Sequence, residues 1–318
     1  MLRVFRGFEL ALRRARFREA VEAAVLKRGV AVMGVCNVTP DSFSDGGRYL
    51  ARESALHRVE EMLREGVDIV DVGGESTRPG AAPVPSAEQL DRVLEVVRWA
   101  AARTVVSIDT TSPSVAAACL DAGAHAVNDV SLLADEGLAQ VAAGSGAALV
   151  LSHARAPQER MTGFGGWPMS AYQDVVHDVL ADWERAASRA VALGVPREAL
   201  VMDPGLGFSK ASRHSFELLR RAGELVRALD VPVLVGASRK SFLTLIDEGA
   251  KPEERLGASL LAAVHAARAG VRIVRVHDVR ATRQALDLDV VLGTPVGHAD
   301  RSNRAVLGGE PMPGQEPR

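Results

Sequence analysis

The chain is poor in cysteine and nearly balanced in charge, and each of these features excludes a class of protein. It holds two cysteines, Cys36 within an apolar run and Cys119 within a segment of helical spacing. Two cysteines so placed are too few for a disulfide framework or a thiolate metal site, so we expect a reducing compartment. With 38 basic and 40 acidic side chains the net charge is -2. We therefore expect no nucleic acid and no anionic membrane as a partner.

Long apolar segments are also absent from the sequence. No run reaches the roughly 18 consecutive apolar residues that a membrane span needs. The first residues lack the compact apolar centre of a secretory signal, because arginines are spread through them: Arg3, Arg6, Arg13, Arg14, Arg16 and Arg18. The sequence thus predicts a cytoplasmic protein.

The chain does contain eight short runs rich in Val and Ile. They begin near residues 31, 68, 105, 125, 148, 200, 232 and 272. Continuous apolar character is typical of strands that are buried on both faces. Segments of helical spacing that end at glycine lie between the runs, as in residues 53–66 and 259–270. This order of strand, helix, glycine and strand predicts repeated βαβ units.

The number of runs favours a closed α/β barrel, the (β/α)8 or TIM barrel fold. A doubly wound open sheet is the alternative, but it usually has fewer strands and binds its ligand at one switch point. We expect the barrel over residues 29–293, with no second domain. Residues 1–28 are expected to form an N-terminal helical extension that closes the barrel floor. The glycine- and proline-rich residues 294–318 predict a disordered tail.

Nearly every apolar run ends in a polar side chain that a purely structural strand does not need. In a TIM barrel the active site is built at the C-terminal ends of the strands and in the loops that follow. We therefore expect these side chains to meet at one mouth: Asn37, Asp71, Asp109, Asn128, His153, Asp203, Lys240, Arg275 and His277. The basic ones come from the last two strands, where such barrels often hold phosphate. The pattern predicts a ligand with a phosphate end and a hydrogen-bonding heterocyclic end.

Motifs for the common cofactors are missing. No G-x-G-x-x-G opens a helix, and residues 236–241 lack the Walker spacing, so nicotinamide and ATP sites are not indicated. The sequence has no His-Glu-x-x-His and no Cys/His spacing for zinc. A Mg²⁺ ion that is held by one or two oxygen ligands and by substrate phosphates leaves almost no motif, so it stays open. The polar loops 37–47 and 73–80 have the character of lids over a site.

Seven segments carry a specific resemblance to one family. They are residues 33–47, 71–80, 107–110, 128–130, 203–208, 236–242 and 275–278. The first two read MGVCNVTPDSFSDGG and DVGGESTRPG, and they resemble the two signature segments of dihydropteroate synthases. All seven follow the order of that family and together cover nearly the whole core, from about residue 31 to 292.

The resemblance implies a (β/α)8 barrel and a defined reaction. Members of the family are transferases that join 6-hydroxymethyl-7,8-dihydropterin diphosphate to p-aminobenzoate, and 7,8-dihydropteroate and diphosphate are the products in folate biosynthesis. A Mg²⁺ ion on the diphosphate is implied as the cofactor. The resemblance also implies a homodimer formed through the outer helices.

Roles for individual residues are implied by the same resemblance. Pterin-binding residues would be Asp109, Asn128, Asp203 and Lys240. Asn37 would be the Mg²⁺ ligand. The diphosphate would be held by Thr77, Arg275 and His277. The aminobenzoate pocket would comprise Phe43, Arg78, Pro79, Phe208, Lys240 and Ser241. The groups with catalytic roles would be Asp71, which lies beneath the reacting methylene, Asp109, Lys240, Arg275 and His277.

The loop after the fifth strand, from Ser152 to Trp167, departs from the family. Family members have Met-His followed closely by glycine, whereas this chain has Ser152, His153 and Ala154 and reaches Gly165 and Gly166 only later. A serine in place of a methionine that packs on the pterin is expected to weaken that contact by about 1 kcal/mol. His153 fits a packing or hydrogen-bonding role as well as a ligand contact. Ser215, where the family often has asparagine, is a smaller departure.

These departures leave two alternatives beside the synthase. One is a pterin-binding barrel that transfers a methyl group from a methylated folate. Such a protein is not expected to keep Ser-Thr-Arg-Pro at 76–79 or Ser-Arg-Lys-Ser at 238–241, and this chain has both. The other is a non-catalytic paralogue that binds pterin and acts through a partner, and the altered fifth loop is its only support.

Overall fold

The computed structural model is a ring of eight parallel strands with helices outside it. It describes residues 2–38, 47–76, 82–157 and 167–293. The strands are β1 (Ala31–Asn37), β2 (Ile69–Gly73), β3 (Val105–Asp109), β4 (Ala126–Asp129), β5 (Ala148–Ser152), β6 (Leu200–Asp203), β7 (Leu234–Val235) and β8 (Ile273–Val276). Among the described helices, none is long and apolar enough to cross a lipid bilayer.

The sheet has the strand order of a barrel. Neighbouring strands run β6-β5-β4-β3-β2-β1-β8-β7. A parallel bridge from Met202 to Val233 joins β6 to the residue before β7 and brings the two ends of the sheet together. The predicted (β/α)8 barrel is therefore confirmed, and an open doubly wound sheet is excluded. Strand β7 is short: the apolar run that begins near residue 232 forms a strand of only 2 residues.

Within the described residues, ten α-helices accompany the strands. They are α1 (Leu2–Arg28), α2 (Gly47–Glu65), α3 (Ser86–Ala101), α4 (Pro113–Asp121), α5 (Gly137–Ser145), α6 (Val175–Ala192), α7 (Ser212–Arg220), α8 (Ala222–Ala228), α9 (Leu256–Arg268) and α10 (Val279–Gly293). Local signals set several of their ends. Asp174 caps α6 by accepting from the N–H groups of Val176 and His177, and Gly146 ends α5 in the left-handed region that glycine adopts easily.

Side chains alternate along each strand between the barrel interior and the helices. The lower interior is apolar and is filled by the strand residues Ala31, Met33, Ile69, Ala126, Ala148, Val150, Val201, Leu234 and Ile273. Helix α1 covers this floor with Phe17, Val21 and Ala24, which lie on one face of the helix. A larger apolar layer fills the space between the outer strand faces and the helices. Because one end of the barrel is filled in this way, only the other end is left for a ligand.

The alternation places polar residues above the apolar floor. Residues two positions apart on a strand share a face. Asp71 therefore follows Ile69 into the interior, and Arg275 follows Ile273. Strand register then sets Asn37 beside Gly73, Gly73 beside Asp109, and Asp109 beside Asn128. The polar layer at the C-terminal ends of the strands is thus a direct result of the sequence alternation.

Candidate active site

An arginine joined to two carboxylates lies at the centre of the mouth. Arg275 Nε is 2.7 Å from Asp71 Oδ2, and its Nη2 is 2.7 Å from Asp109 Oδ2. Asn128 Nδ2 donates to the same Asp71 oxygen over 3.1 Å. These four side chains come from β2, β3, β4 and β8, so the structure brings together predicted residues that lie up to 204 positions apart in the chain.

The same residues leave acceptors without partners. Among the described residues, buried oxygens with no hydrogen-bond partner include Asn37 Oδ1, Asp71 Oδ1, Asp109 Oδ1 and Asn128 Oδ1. A buried acceptor that is left unpaired costs about 1–3 kcal/mol, so a concentration of them in one place calls for a ligand that donates. A heterocycle with several N–H groups on one edge is such a ligand.

Burial and charge together set the electrostatics of this cluster. Burial raises the pKa of Asp109 to about 7, and Arg275 only partly offsets that effect. Burial works to lower the pKa of Arg275, but the carboxylates of Asp71 and Asp109 outweigh it and raise that pKa. The guanidinium therefore stays charged. Its bonds to the two carboxylates use two of its five N–H donors, which leaves donors for a ligand.

Asp203, Lys240 and Phe208 form the next side of the mouth. Asp203 Oδ2 accepts from Ser152 Oγ over 2.9 Å, and its Oδ1 accepts from the Gly205 N–H over 2.7 Å. Lys240 Nζ donates to the Leu206 carbonyl and lies 4.7 Å from the centre of the Phe208 ring. Burial lowers the pKa of Lys240 to about 8, against the opposing charge of Asp203.

Ser152 has a role that the sequence did not indicate. The expected effect of serine in place of methionine was a weaker contact with the pterin face. The structure adds a positive function, because the Ser152 hydroxyl holds the Asp203 carboxylate of the neighbouring strand. Only the pairing of β5 with β6 brings them together, so no local signal in the sequence reveals the bond.

His277 lies at the end of β8 beside Ser238. Its backbone N–H donates to Ser238 Oγ over 3.1 Å, and its Nδ1 is 3.2 Å from the same oxygen. Burial, followed by the positive charges of Arg275 and Arg239, lowers the pKa of His277 to about 4. The sequence grouped His277 with the cations, and this is wrong near neutral pH, since a positive neighbourhood keeps the imidazole uncharged.

Asn37 fits the predicted metal position. Its Oδ1 is one of the unpaired buried oxygens, and amide oxygens are suitable ligands for Mg²⁺. Within the described residues no group of three or more His, Cys, Asp or Glu side chains forms a metal cage. A metal here would need oxygens from its substrate.

The remaining predicted residues divide into three groups. Ser241 begins a turn of 3-10 helix (Ser241–Leu245) directly after Lys240. Thr77 and Arg78, together with Phe43 and Pro79, lie outside the described residues, as do residues 294–318. His153 is the exception at the mouth: it follows the inward-facing Ser152 and instead points towards α6, where its Nε2 is 3.0 Å from Asp182 Oδ2. Its expected place at the mouth is therefore wrong, and the hydrogen-bonding role that the sequence left open for it is confirmed.

The barrel and its polar layer agree with the protein family that the sequence matches. Residues 33–277 match the family described as pterin binding enzyme. That match covers more than half of the chain, so the chain belongs to the pterin binding enzyme family.

Within that family, the chain is similar to dihydropteroate synthases. It is 47% identical over 264 residues to the dihydropteroate synthase of Mycobacterium leprae (strain TN), covering 81% of this chain and 91% of that protein. It is 44% identical over 253 residues to a probable bifunctional folylpolyglutamate synthase/dihydropteroate synthase of Haloferax volcanii, covering 79% of this chain and 29% of that longer protein.

A solved structure gives the same result. Xanthomonas albilineans dihydropteroate synthase with 4-aminobenzoic acid superposes with a TM-score of 0.76 at 38% identity. The superposition covers 84% of this chain and 94% of that one. The resemblance to dihydropteroate synthases that the sequence motifs predicted is confirmed.

Proposed function

We propose that this chain catalyses the dihydropteroate synthase reaction, in which 6-hydroxymethyl-7,8-dihydropterin diphosphate and p-aminobenzoate give 7,8-dihydropteroate and diphosphate. The observation that carries the proposal is the set of unpaired acceptors around Arg275 at the mouth. This set combines hydrogen-bond acceptors for a heterocycle with a buried cation for an anionic group. The dihydropterin diphosphate has both a heterocycle and an anionic group.

The pterin is held by the acceptors of the middle strands. Asp109 and Asn128 each offer a free oxygen to the N–H groups of its guanidine-like edge. Asp203, fixed by Ser152 and Gly205, lies on the other side. Lys240 donates to an oxygen or nitrogen of the ring system. Asp71, which is bound to both Arg275 and Asn128, ties the pterin side of the site to the diphosphate side.

The diphosphate is bound by Arg275 and His277, and Thr77 adds a hydroxyl. Because burial and the nearby cations lower the pKa of His277 to about 4 in the protein alone, the imidazole is uncharged when it meets the diphosphate and offers it a hydrogen bond. Asn37 Oδ1 would hold a Mg²⁺ ion, which would supply further positive charge for the diphosphate leaving group. Arg275 remains the main protein cation beside the leaving group.

The aminobenzoate lies against Phe208, Lys240 and Ser241, and Arg78 completes this pocket. The Lys240 ammonium over the Phe208 ring gives the pocket an apolar face and a positive end, which suit an aromatic carboxylate. Its amine needs no strong base, because an arylamine is nucleophilic in the neutral form.

The reaction exchanges one bond for another at the pterin methylene. The carbon–oxygen bond to diphosphate breaks, and both of its electrons leave with the diphosphate. The electron-rich pterin stabilises the resulting cation, and the carboxylate of Asp109 favours that positive charge. The amine nitrogen then forms the new carbon–nitrogen bond and loses a proton. Arg275 stabilises the charge that grows on the leaving group, so bond breaking can run ahead of attack.

Two alanine variants test this assignment. We expect Lys240→Ala and Arg275→Ala each to lower kcat by at least about tenfold, since removing one preorganised donor from developing charge typically costs that much or more. Arg268→Ala is the matched control, because Arg268 is an exposed arginine that pairs with Asp289 far from the mouth. Near-normal turnover in both site variants, with circular dichroism showing that all three proteins fold, would remove the assignment.

We further propose that the chain works as a homodimer in the cytoplasm. Exposed apolar side chains on α9, on α10 and directly after the turn Ser241–Leu245 support the homodimer. Among them are Leu261 at 70%, Leu292 at 71% and Ile246 at 67% exposure. Analytical ultracentrifugation should give twice the mass of one chain, and Leu261→Glu should shift the protein towards the monomer. A monomer at micromolar concentration in the unaltered protein would contradict the dimer.

A further inference from the structure

A lysine is buried completely beside the mouth and has no assigned role. Lys210 is 1% exposed. Its Nζ lies 2.9 Å from the Phe208 carbonyl, 3.2 Å from the His153 carbonyl and 2.7 Å from His153 Nδ1. Lysine is almost never fully buried unless it is paired, because the charged head loses its water. The three acceptors take up the N–H donors of the lysine head group. Burial lowers the pKa of Lys210 well below its ordinary value, and the charge of Asp203 opposes this only in part.

His153 passes this interaction on to α6. The imidazole is buried at 0% exposure, and its Nε2 lies 3.0 Å from Asp182 Oδ2. Arg155 Nε holds the same oxygen over 2.6 Å. Burial works to raise the pKa of Asp182, but the hydrogen bonds from His153 and Arg155 outweigh it and lower that pKa below its ordinary range. Asp182 is therefore an ionised acceptor.

The charge on Asp182 fixes the tautomer of His153. Burial, together with the charge of Lys210, lowers the pKa of His153 to about 3, so the ring carries one proton. An ionised carboxylate can only accept, which places that proton on Nε2. Nδ1 is then the acceptor for Lys210. Lys210, His153 and Asp182 form one directional chain of hydrogen bonds, which we name the lysine relay.

The lysine relay joins the two loops that carry the aminobenzoate and pterin groups. Lys210 binds the backbone carbonyls of both His153, after β5, and Phe208, after β6. The two loops already touch, since a Cβ at Gly205 would lie 2.0 Å from the His153 carbonyl oxygen. The His153 N–H also donates to the Asp203 carbonyl over 2.9 Å. A shift of the Lys210 head would therefore move Phe208 relative to Lys240.

We propose that Lys210 and Asp182, acting through His153, are positioning residues that set the place of Phe208 against the aminobenzoate. The inference rests on the proposed function, since it names which part of that site the relay controls. Lys210 and His153 are 1% and 0% exposed, and the hydrogen bonds of their side chains run to each other, to Asp182 and to backbone carbonyls, so the three residues act through the loop and not by touching substrate. Their loss should affect binding of the aminobenzoate more than turnover of bound substrates.

Steady-state kinetics of Asp182→Asn, Lys210→Met and the double variant test the proposal. We expect each single variant to raise the KM for p-aminobenzoate about tenfold, which corresponds to the loss of one buried hydrogen bond, while kcat changes less than about threefold. The double variant should be no worse than Lys210→Met, because both changes interrupt one network. Glu184→Gln is the control: it removes another carboxylate of α6, one that pairs with Arg197.

A crystal structure of Asp182→Asn gives a second measurement that does not depend on activity. We expect the Phe208 ring to move away from Lys240 Nζ, beyond the present 4.7 Å. An unchanged ring position, an unchanged KM for p-aminobenzoate, or effects that add in the double variant would each overturn the proposal. A wild-type protein without activity would count against the proposed function, and the position of Phe208 would still decide the positioning role.

Discussion

Arg275 determines how charge is balanced at the mouth. Two buried carboxylates, Asp71 and Asp109, would repel each other and each would be costly to bury alone. The guanidinium bonds to both, so it compensates them while it keeps donors for the diphosphate. Lysine could not replace it, since one ammonium group lacks the planar fork that reaches two carboxylates in fixed directions. The Arg275 guanidinium is therefore already in place, before substrate binds, where negative charge develops on the diphosphate.

The titration of Asp109 and Lys240 predicts how activity depends on pH. Asp109 accepts from the pterin as a carboxylate, and burial raises its pKa to about 7. Lys240 donates as a cation, and burial lowers its pKa to about 8. We expect kcat/KM for the dihydropterin diphosphate to fall below pH of about 7 and above pH of about 8, because this parameter reports groups of the free enzyme.

Lys240→Arg separates these enzyme groups from the ionisations of the substrate. An arginine stays charged throughout the accessible range, so the fall on the alkaline side should disappear while the fall on the acid side remains. A wild-type profile that is flat from pH 6 to 9 would contradict the two assignments. So would an alkaline limb that is the same in the variant.

Particular residues show how far the sequence could predict this site. Asp71, Asp109, Asn128 and Arg275 were found because strand ends follow from apolar runs, and alternate residues of a strand share a face. The bond from Ser152 to Asp203 joins residues 51 positions apart and depends on the register of β5 against β6, and Asp182 reaches His153 from a helix. Contacts between distant residues leave no pattern in the sequence around either residue. The neutral state of His277 leaves none either, because it results from burial close to Arg275 and Arg239.

At the scale of elements, α1 serves stability and the strand ends serve chemistry. The helix lies beneath the barrel, where Phe17, Val21 and Ala24 pack against the lowest layer of strand side chains. The polar layer with Arg275 lies at the opposite end of the same strands. A change under the floor should therefore alter the free energy of unfolding without altering the reaction.

Phe17→Ala tests this separation. Phe17 is 3% exposed, so its truncation should lower the free energy of unfolding by about 3 kcal/mol, as expected for a buried phenylalanine. Leu26→Ala on the same helix is the control, because Leu26 is 89% exposed and should change stability by less than about 0.5 kcal/mol. Urea unfolding measures both. If kcat of folded Phe17→Ala fell tenfold, the floor and the mouth would be coupled and the separation would be wrong.

At the scale of the whole molecule, buried neutral histidines set the response to acid. Burial lowers the pKa of His125 to about 4 and, with the charge of Lys210, that of His153 to about 3. The unfolded chain binds protons at these groups below pH of about 6.5, whereas the folded chain does not. Their contribution to stability is complete above that pH and is lost as the pH falls towards 4. Each such histidine adds a slope of about 1.4 kcal/mol per pH unit in this window.

His125→Asn tests the sign and size of this effect away from the mouth. His125 Nδ1 accepts the Val106 N–H over 3.2 Å, and an asparagine oxygen can replace that acceptor. We expect the slope of unfolding free energy against pH, between about 6.5 and 4.5, to fall by about 1.4 kcal/mol per pH unit in the variant. His177→Asn, at an exposed histidine of α6, is the matched comparison. Equal slopes in the two variants would show that burial of His125 does not contribute.

The central claim is that the mouth binds a dihydropterin diphosphate and joins it to an arylamine. The most direct measurement incubates the pure protein with 6-hydroxymethyl-7,8-dihydropterin diphosphate, p-aminobenzoate and Mg²⁺, and follows diphosphate and 7,8-dihydropteroate together. We expect the two products in equal amounts, and neither when p-aminobenzoate is omitted. Tight binding of the pterin with no product would contradict the claim and would favour a non-catalytic pterin-binding protein.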